Sequence, residues 1–294
     1  MIPITEPGIY PGYSADDYFA DPCPTPSLNQ SLIKVLDDAS PLHAAFGHVR
    51  LNPYGRRDDS SRAQFFGSAV HRLALGAGKP VTVLRYPDFK HSSARNARDE
   101  AIRRSEIPLL ERDYDRAVSM AATVRERIEE EAAGDEFLTE VPVYARMQTA
   151  AGWIWVRAML DVWIPAQVRI LDVKTTRGLA TPEAVGRDVT QNRYDLQDAW
   201  YPHLVTLAAP ELAGRVRFEF LYVESDAPHG SATHYLDEES RYFARRICER
   251  AAETFARSLN SNTWPSYPRG ANRIATAKYY QNAQLEREIG ESAA

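Results

Sequence analysis

Apolar residues recur along this chain in two rhythms, and the change from one to the other lays out its elements. Leu28, Leu32, Val35 and Leu36 fall three and four apart, which predicts a short helix capped by Ser27. Phe66, Ala69, Val70 and Leu73 give the same stripe over 63–75, a helix that also carries His71. Tyr114, Val118, Ala121, Val124 and Ile128 mark the buried face of a long polar helix over 110–133, which Gly134 would end. The rhythm then changes. Residues 137–147, 153–164 and 168–175 are rich in β-branched and aromatic types and predict strands. Helices over 182–189 and 194–207, a strand over 216–223 and a helix over 238–259 complete the pattern, and 264–294 reads as a polar, partly helical tail.

Punctuation refines this outline. Pro3, Pro7, Pro11, Pro22, Pro24 and Pro26 exclude long helices before Ser27, and 52–62 reads as an exposed loop. Pro202 is expected to kink or shorten the helix over 194–207. Strands with helices on either side in sequence predict an α/β fold, a mixed central β-sheet with helices packed on its faces. The expected organisation is one domain over 1–294: an arm with a short helix (1–62), a core (63–260) and a tail (261–294).

Composition narrows the function classes. The 294 residues hold 35 Lys+Arg against 40 Asp+Glu, a net charge of −5, which excludes a uniformly basic coat but not a local basic groove. Residues 85–104 are the most basic stretch, with Arg85, Lys90, Arg95, Arg98, Arg103 and Arg104 against three acids. They read either as a nucleic-acid path or as a mobile, solvated arm. With only Cys23 and Cys248, a disulfide scaffold and any four-cysteine zinc or iron–sulfur site are excluded. No stretch approaches the ~20 apolar residues of a membrane helix, and the start lacks a signal-peptide pattern. The chain is therefore expected to be cytoplasmic.

Chemistry concentrates in residues 153–175. A two-residue loop at Pro165-Ala166 would set Asp161 opposite Ile170 and Met159 opposite Asp172, so Asp161, Asp172 and Lys174 share one side of the sheet. Leu160, Val162, Leu171 and Val173 would face the other. A diagonal carboxylate pair ~7–8 Å apart suits one cation between them. The other reading is a salt-bridge set on an exposed face. Glu140 can bring a third carboxylate and His71 a nitrogen, although a lone histidine also suits an ordinary half-buried position. Hard divalent cations take oxygen ligands, and an adjacent lysine can orient a water, so the set matches phosphodiester hydrolysis. Gln197 and Tyr201 share a helix face, as plain surface or as contacts to a nucleic-acid backbone. No phosphate loop, G-x-S-x-G, H-E-x-x-H or G-x-G-x-x-G occurs.

Taken in order, His71, Glu140, Asp161, Asp172-Val173-Lys174 and Gln197…Tyr201 resemble the PD-(D/E)XK nuclease superfamily, and within it the RecE-type (exodeoxyribonuclease eight) group of phages and prophages. SLNQSLIKVLDDASPLH (27–43), FGSAVHRLAL (66–75), ILDVKTT (170–176), YDLQDAWY (194–201) and NTWPSY (262–267) carry the likeness over roughly 27–270. The resemblance implies a restriction-endonuclease-like core and a Mg²⁺ site, with Mn²⁺ as a substitute and no iron–sulfur cluster. His71, Asp161, Asp172 and the Val173 carbonyl would ligate the metal, and Glu140 would support the site or hold a second ion. Lys174 would position the water, and Gln197 and Tyr201 would contact DNA or brace the site. Implied too are digestion of linear double-stranded DNA, 5′ to 3′, a ring-shaped homo-oligomer and a RecT-like single-strand-annealing recombinase partner. Arg95, Arg98 and Arg103 would then line the DNA path. An internally cutting endonuclease of the superfamily, or an inert DNA-end-binding module, are the other readings.

Overall fold

The computed structural model describes residues 2–52, 62–76 and 78–292, so the loop expected over 52–62 lies almost wholly outside the described residues. The arm opens with strand β1 (Gly8–Ile9), helix α1 (Ala15–Phe19), α2 (Gln30–Asp38) and α3 (Pro41–Gly47). Asn29, not Ser27, caps α2, its side chain accepting from the Leu32 N–H at 3.0 Å. Helix α4 (Arg62–Leu75) follows, then β2 (Val81–Leu84), α5 (Ser92–Arg103) and β3 (Ile107–Leu110). The basic stretch, read without a helix, thus contains the crossover helix α5: β2 and β3 are parallel, and parallel strands need such a connection.

Helix α6 (Glu111–Ala132) ends with Ala133 and Gly134 both at positive φ. Its buried stripe is Ala117, Met120, Ala121, Val124 and Ile128, while Val118, expected inside, is 42% exposed. Strands β4 (Leu138–Thr149), β5 (Gly152–Ile164) and β6 (Arg169–Thr176), helices α7 (Pro182–Asn192) and α8 (Asp195–Ala208), and strands β7 (Arg217–Glu224) and β8 (Ser231–His234) come next. Helices α9 (Glu238–Ser261) and α10 (Lys278–Ser292) close the chain. The six-stranded sheet runs β1-β4-β5-β6-β7-β8, antiparallel except for β6 and β7. The crossover through α7 and α8 is what allows that parallel pair.

Helices cover both faces, as the sequence pattern predicts. Leu32, Leu196, Trp200, Leu204 and Phe255 of α2, α8 and α9 pack on Ile170, Phe218 and Phe220. On the opposite face Val70 of α4 and Met120, Val124 and Ile128 of α6 meet Val162, Leu171, Val173 and Leu221. Pro202 lies inside α8 without ending it. The helix spans it because Trp200, Tyr201, Leu204 and Val205 on either side are buried against the sheet and α9. Tertiary burial there outweighs the lost backbone bond.

Two departures in the sheet bear on the site. The β5–β6 connection is a 3₁₀ turn, Pro165–Gln167, closed by the Val168 N–H on the Pro165 carbonyl, with Val168 at φ 50°. The loop therefore holds four residues rather than two, and Trp163, not Asp161, pairs with Ile170. The even length keeps the side-chain parity and slides the register by two, so that Asp161 falls level with Asp172. The β4–β5 ladder omits the Glu140–Asp161 position, where Glu140 takes φ 50°. Leu160 consequently packs in the α8–α9 layer and Val162 in the α4–α6 layer, although one alternation would put them together. A local irregularity of this kind re-aims side chains out of the pleat.

The arm is tied down by a buried charge network. Asp21 (φ 59°) accepts from the Ser27 N–H at 2.9 Å and hydroxyl at 2.7 Å, and pairs with Arg157 of β5 at 2.7 Å. His48 stands 3.3 Å away, and the Arg157 guanidinium covers the Tyr18 ring. Among the described residues no helix is long and apolar enough to cross a membrane.

Candidate metal centre

The irregular β4–β5 position supplies two acids of the site. Glu140 and Asp161 meet His71 of α4, and one ligand atom from each of the three lies within 4.8 Å of the others. The histidine is oriented by the backbone: its Nε2–H donates to the Val173 carbonyl at 2.9 Å. A carbonyl can only accept, so the neutral ring keeps its lone pair on Nδ1, 3.8 Å from Asp161 Oδ2. Metal-binding histidines are held in this way, with the far ring nitrogen bonded to a carbonyl or carboxylate. Asp161 Oδ2 also accepts the Val173 N–H at 2.8 Å, which locks it to β6. The Val173 carbonyl, expected among the ligands, is thus engaged with the His71 ring.

Asp172 and Lys174 extend the site along β6 toward α8, with Lys174 lining the same cleft as the cluster. Lys174 Nζ bonds to Asp172 Oδ2, and Gln197 Nε2 donates to Asp172 Oδ1 at 3.1 Å and to the Tyr201 hydroxyl at 3.0 Å. Both oxygens of Asp172 are therefore engaged, and it stands beside the three-residue cluster rather than within it. Tyr194 presents its ring 4.5 Å from Lys174 Nζ. The sequence reading did not assign Tyr194 a role, although its spacing of three and seven from Gln197 and Tyr201 puts all three on one helix face. Gln197 Oε1 is buried with no partner among the described residues.

Burial, reinforced by the crowding of acids, dominates the electrostatics. Burial, then Asp161 and Asp172, push Glu140 up to about 8. Burial likewise drives Asp172 up to about 7, against the pull of Lys174. Burial disfavours the Lys174 charge, but Asp172 and Asp161 hold the ammonium above its ordinary value. Three carboxylates facing one ammonium leave a negative excess that a proton or a divalent cation can neutralise. An oxygen-rich set with one imidazole can hold such a cation, so the residues present fit a metal.

This excess has a measurable consequence. In the metal-free protein Glu140 binds a proton that the unfolded chain releases near 4.5. Its contribution to stability is fully present below about pH 4.5 and is lost as pH rises through about 8. Urea unfolding in EDTA should give a lower midpoint at pH 8.5 than at pH 6, and a divalent cation should restore the loss at the higher pH. A midpoint in EDTA that is level or higher at pH 8.5 would contradict the assignment of the buried acids.

A cleft of about 950 Å³ opens over the cluster, lined by His71, Glu140, Asp161, Lys174, Tyr201 and the exposed Phe19 of the arm. Asp188, which the sequence reading passed over, also lines it, held by the Tyr222 hydroxyl at 2.8 Å and by Asn192 at 2.9 Å. Arg95, Arg98 and Arg103 do not line this cleft. They sit on α5, where Arg95 caps the Lys90 carbonyl, Arg98 pairs with Asp99 and Arg103 with Glu100. That helix is ordered by its β2–β3 packing, not a solvated arm.

No family model matches the chain, and no curated protein matches it. Among solved structures it is similar to a crystal structure described as a candidate exonuclease from Eubacterium rectale. The superposition has a TM-score of 0.58 and 14% identity over 90% of this chain and 93% of that one. A second, SSO0001, covers 66% of this chain and 86% of its own at 12% identity, but its TM-score of 0.29 is too low to bear on the fold. The architecture, a mixed central sheet between helical layers, is the fold this chain shares with that first structure.

Proposed function

We propose that this chain is a Mg²⁺-dependent deoxyribonuclease that digests linear double-stranded DNA from its ends. The observation that carries the reading is the convergence of His71, Glu140 and Asp161 beside Lys174 in one open cleft, and the fold shared with a structure described as a candidate exonuclease supports it. Mg²⁺ held by those three would polarise a phosphodiester and lower the pKa of a bound water. Asp172 holds the Lys174 ammonium at the cleft, where it positions the attacking water and offsets charge developing at phosphorus. Gln197 and Tyr201 brace Asp172 and, through it, the lysine. Tyr194 excludes water from one side of the ammonium.

Exonuclease action with 5′ to 3′ polarity, a ring of identical subunits, a RecT-like partner, a role in phage-type recombination and a cytoplasmic location follow from the RecE-type resemblance and belong to the same proposal. The decisive experiment incubates linear and closed circular duplex with the protein in Mg²⁺ and in EDTA. Loss of linear DNA alone, abolished by EDTA, is expected. Loss of both substrates would make the protein an internal cutter, and loss of neither would leave a DNA-end-binding module and overturn the reading.

A further inference from the structure

Beside the metal cleft lies a second cavity of about 660 Å³, and no role given above accounts for it. Its floor is the continuation of the catalytic strand: Thr175 and Thr176 follow Asp172 and Lys174 on β6, and Arg177 follows directly. Thr175 and Asp188 line both cavities, so the two are contiguous. Arg112 and Arg116, from the first turns of α6, form the facing wall with Ser225.

The donors in this cavity exceed their present partners. Arg177 is exposed and makes no hydrogen bond or ion pair among the described residues. Arg112 has only a 3.8 Å approach to Asp113 and remains mostly exposed. Arg116 is the positioned member, bound to Asp226 at 2.7 Å and the Ser225 carbonyl at 3.2 Å, with its guanidinium over the Phe66 ring. The Thr176 hydroxyl oxygen accepts from the Gly178 N–H, which leaves its proton free to donate. Three acids also line the space, but each is committed. Asp188 is held by Tyr222 and Asn192, Asp226 by Arg116, and buried Asp113 lies 3.8 Å from both Arg112 and Arg116. Each guanidinium carries five N–H donors, so most of them here are unspent. A cavity rich in unspent guanidinium and hydroxyl donors selects an anion with several acceptor oxygens.

We infer that this second cavity binds backbone phosphate of the DNA strand beyond the one at the metal cluster, through Arg112, Arg177 and the hydroxyls of Thr176 and Ser225. The inference rests on the nuclease reading and extends it to the run of the substrate. Three residues of strand span about 10 Å, roughly three nucleotides at about 3.4 Å of rise each. A strand crossing Lys174 can therefore reach Arg177 without leaving the surface.

The test is binding of a fluorescently labelled linear duplex by anisotropy over a salt series, with Ca²⁺ in place of Mg²⁺ to prevent turnover. Wild type is compared with the exposed pair Arg112→Ala/Arg177→Ala. Cleavage by the wild type is assayed in parallel with Mg²⁺. The double variant should bind several-fold more weakly, and the slope of log affinity against log salt should fall by about two, one per lost phosphate contact. Its KM should rise while its Mg²⁺ affinity stays that of the wild type. An unchanged affinity and slope beside an active wild type would overturn the inference alone. A wild type that cleaves no DNA would overturn the nuclease reading and this inference with it. Arg112→Lys/Arg177→Lys, which keeps the charge, should retain most of the slope, and a slope as low as that of the alanine pair would show that backbone disturbance, not charge, caused the loss.

Discussion

Asp161→Asn should abolish divalent-cation binding, and with it the proposed nuclease activity. Asp161 is the member of the cluster that ties it to the sheet, close to His71 Nδ1, level with Asp172 and bonded to the β6 backbone. The asparagine keeps an acceptor for the Val173 N–H, so the fold should persist and the loss can be read as chemistry. Calorimetric titration with Mg²⁺ and a linear-duplex assay check it together. Wild-type metal affinity in the variant would remove Asp161 from the centre. Lys174→Met separates the remaining roles. It should retain the metal and lose turnover, because in the proposed reaction the ammonium acts on water and transition-state charge rather than on the ligand set.

Asp21→Ala should cost about 3–5 kcal/mol of stability, since it leaves the Arg157 guanidinium buried, 4% exposed, without its carboxylate. Ser27 loses two acceptors at the same time, and alanine tolerates φ 59° less well than aspartate. Hydrogen bonds to His48 and Ser27, with the Arg157 charge, overcome burial to hold the Asp21 carboxyl down near 2. Its contribution is therefore present above about pH 3.8 and lost as pH falls through about 2. Urea denaturation at pH 7 measures the effect, and a change below about 1 kcal/mol would show that the network is not what fastens the arm. The arm also carries Tyr18 and Phe19 at the rim of the metal cleft, so its release should weaken substrate binding before it affects metal affinity.

Much of the architecture follows from local pattern. The stripes at three-and-four spacing and the β-branched runs lie where helices and strands lie, because burying one face of each element is the dominant local demand. Asp161, Asp172 and Lys174 were legible for the same reason, as charges placed inside the most apolar stretch of the chain. Misreadings arose where a distant partner set the outcome. Pro202 does not end α8 early because its neighbours are pressed on the sheet. Val118 faces solvent because α6 is rotated to seat Met120. The stretch 85–104 carries a helix over Ser92–Arg103 that links the parallel β2 and β3, and Asp21 gave no signal because Arg157 lies far along the chain.

The sequence by itself determined the kinds of element, their order, and the set of acids, lysine and histidine available for metal chemistry, since these depend on residue type and short spacing. Which three of them converge was decided only by tertiary structure. A four-residue turn slid β6 by two places, a left-handed Glu140 broke the alternation of β4 and β5, and a backbone carbonyl fixed the His71 ring. The first two are backbone conformations that apolar periodicity does not encode, and the third joins residues about a hundred positions apart, beyond the reach of any local pattern.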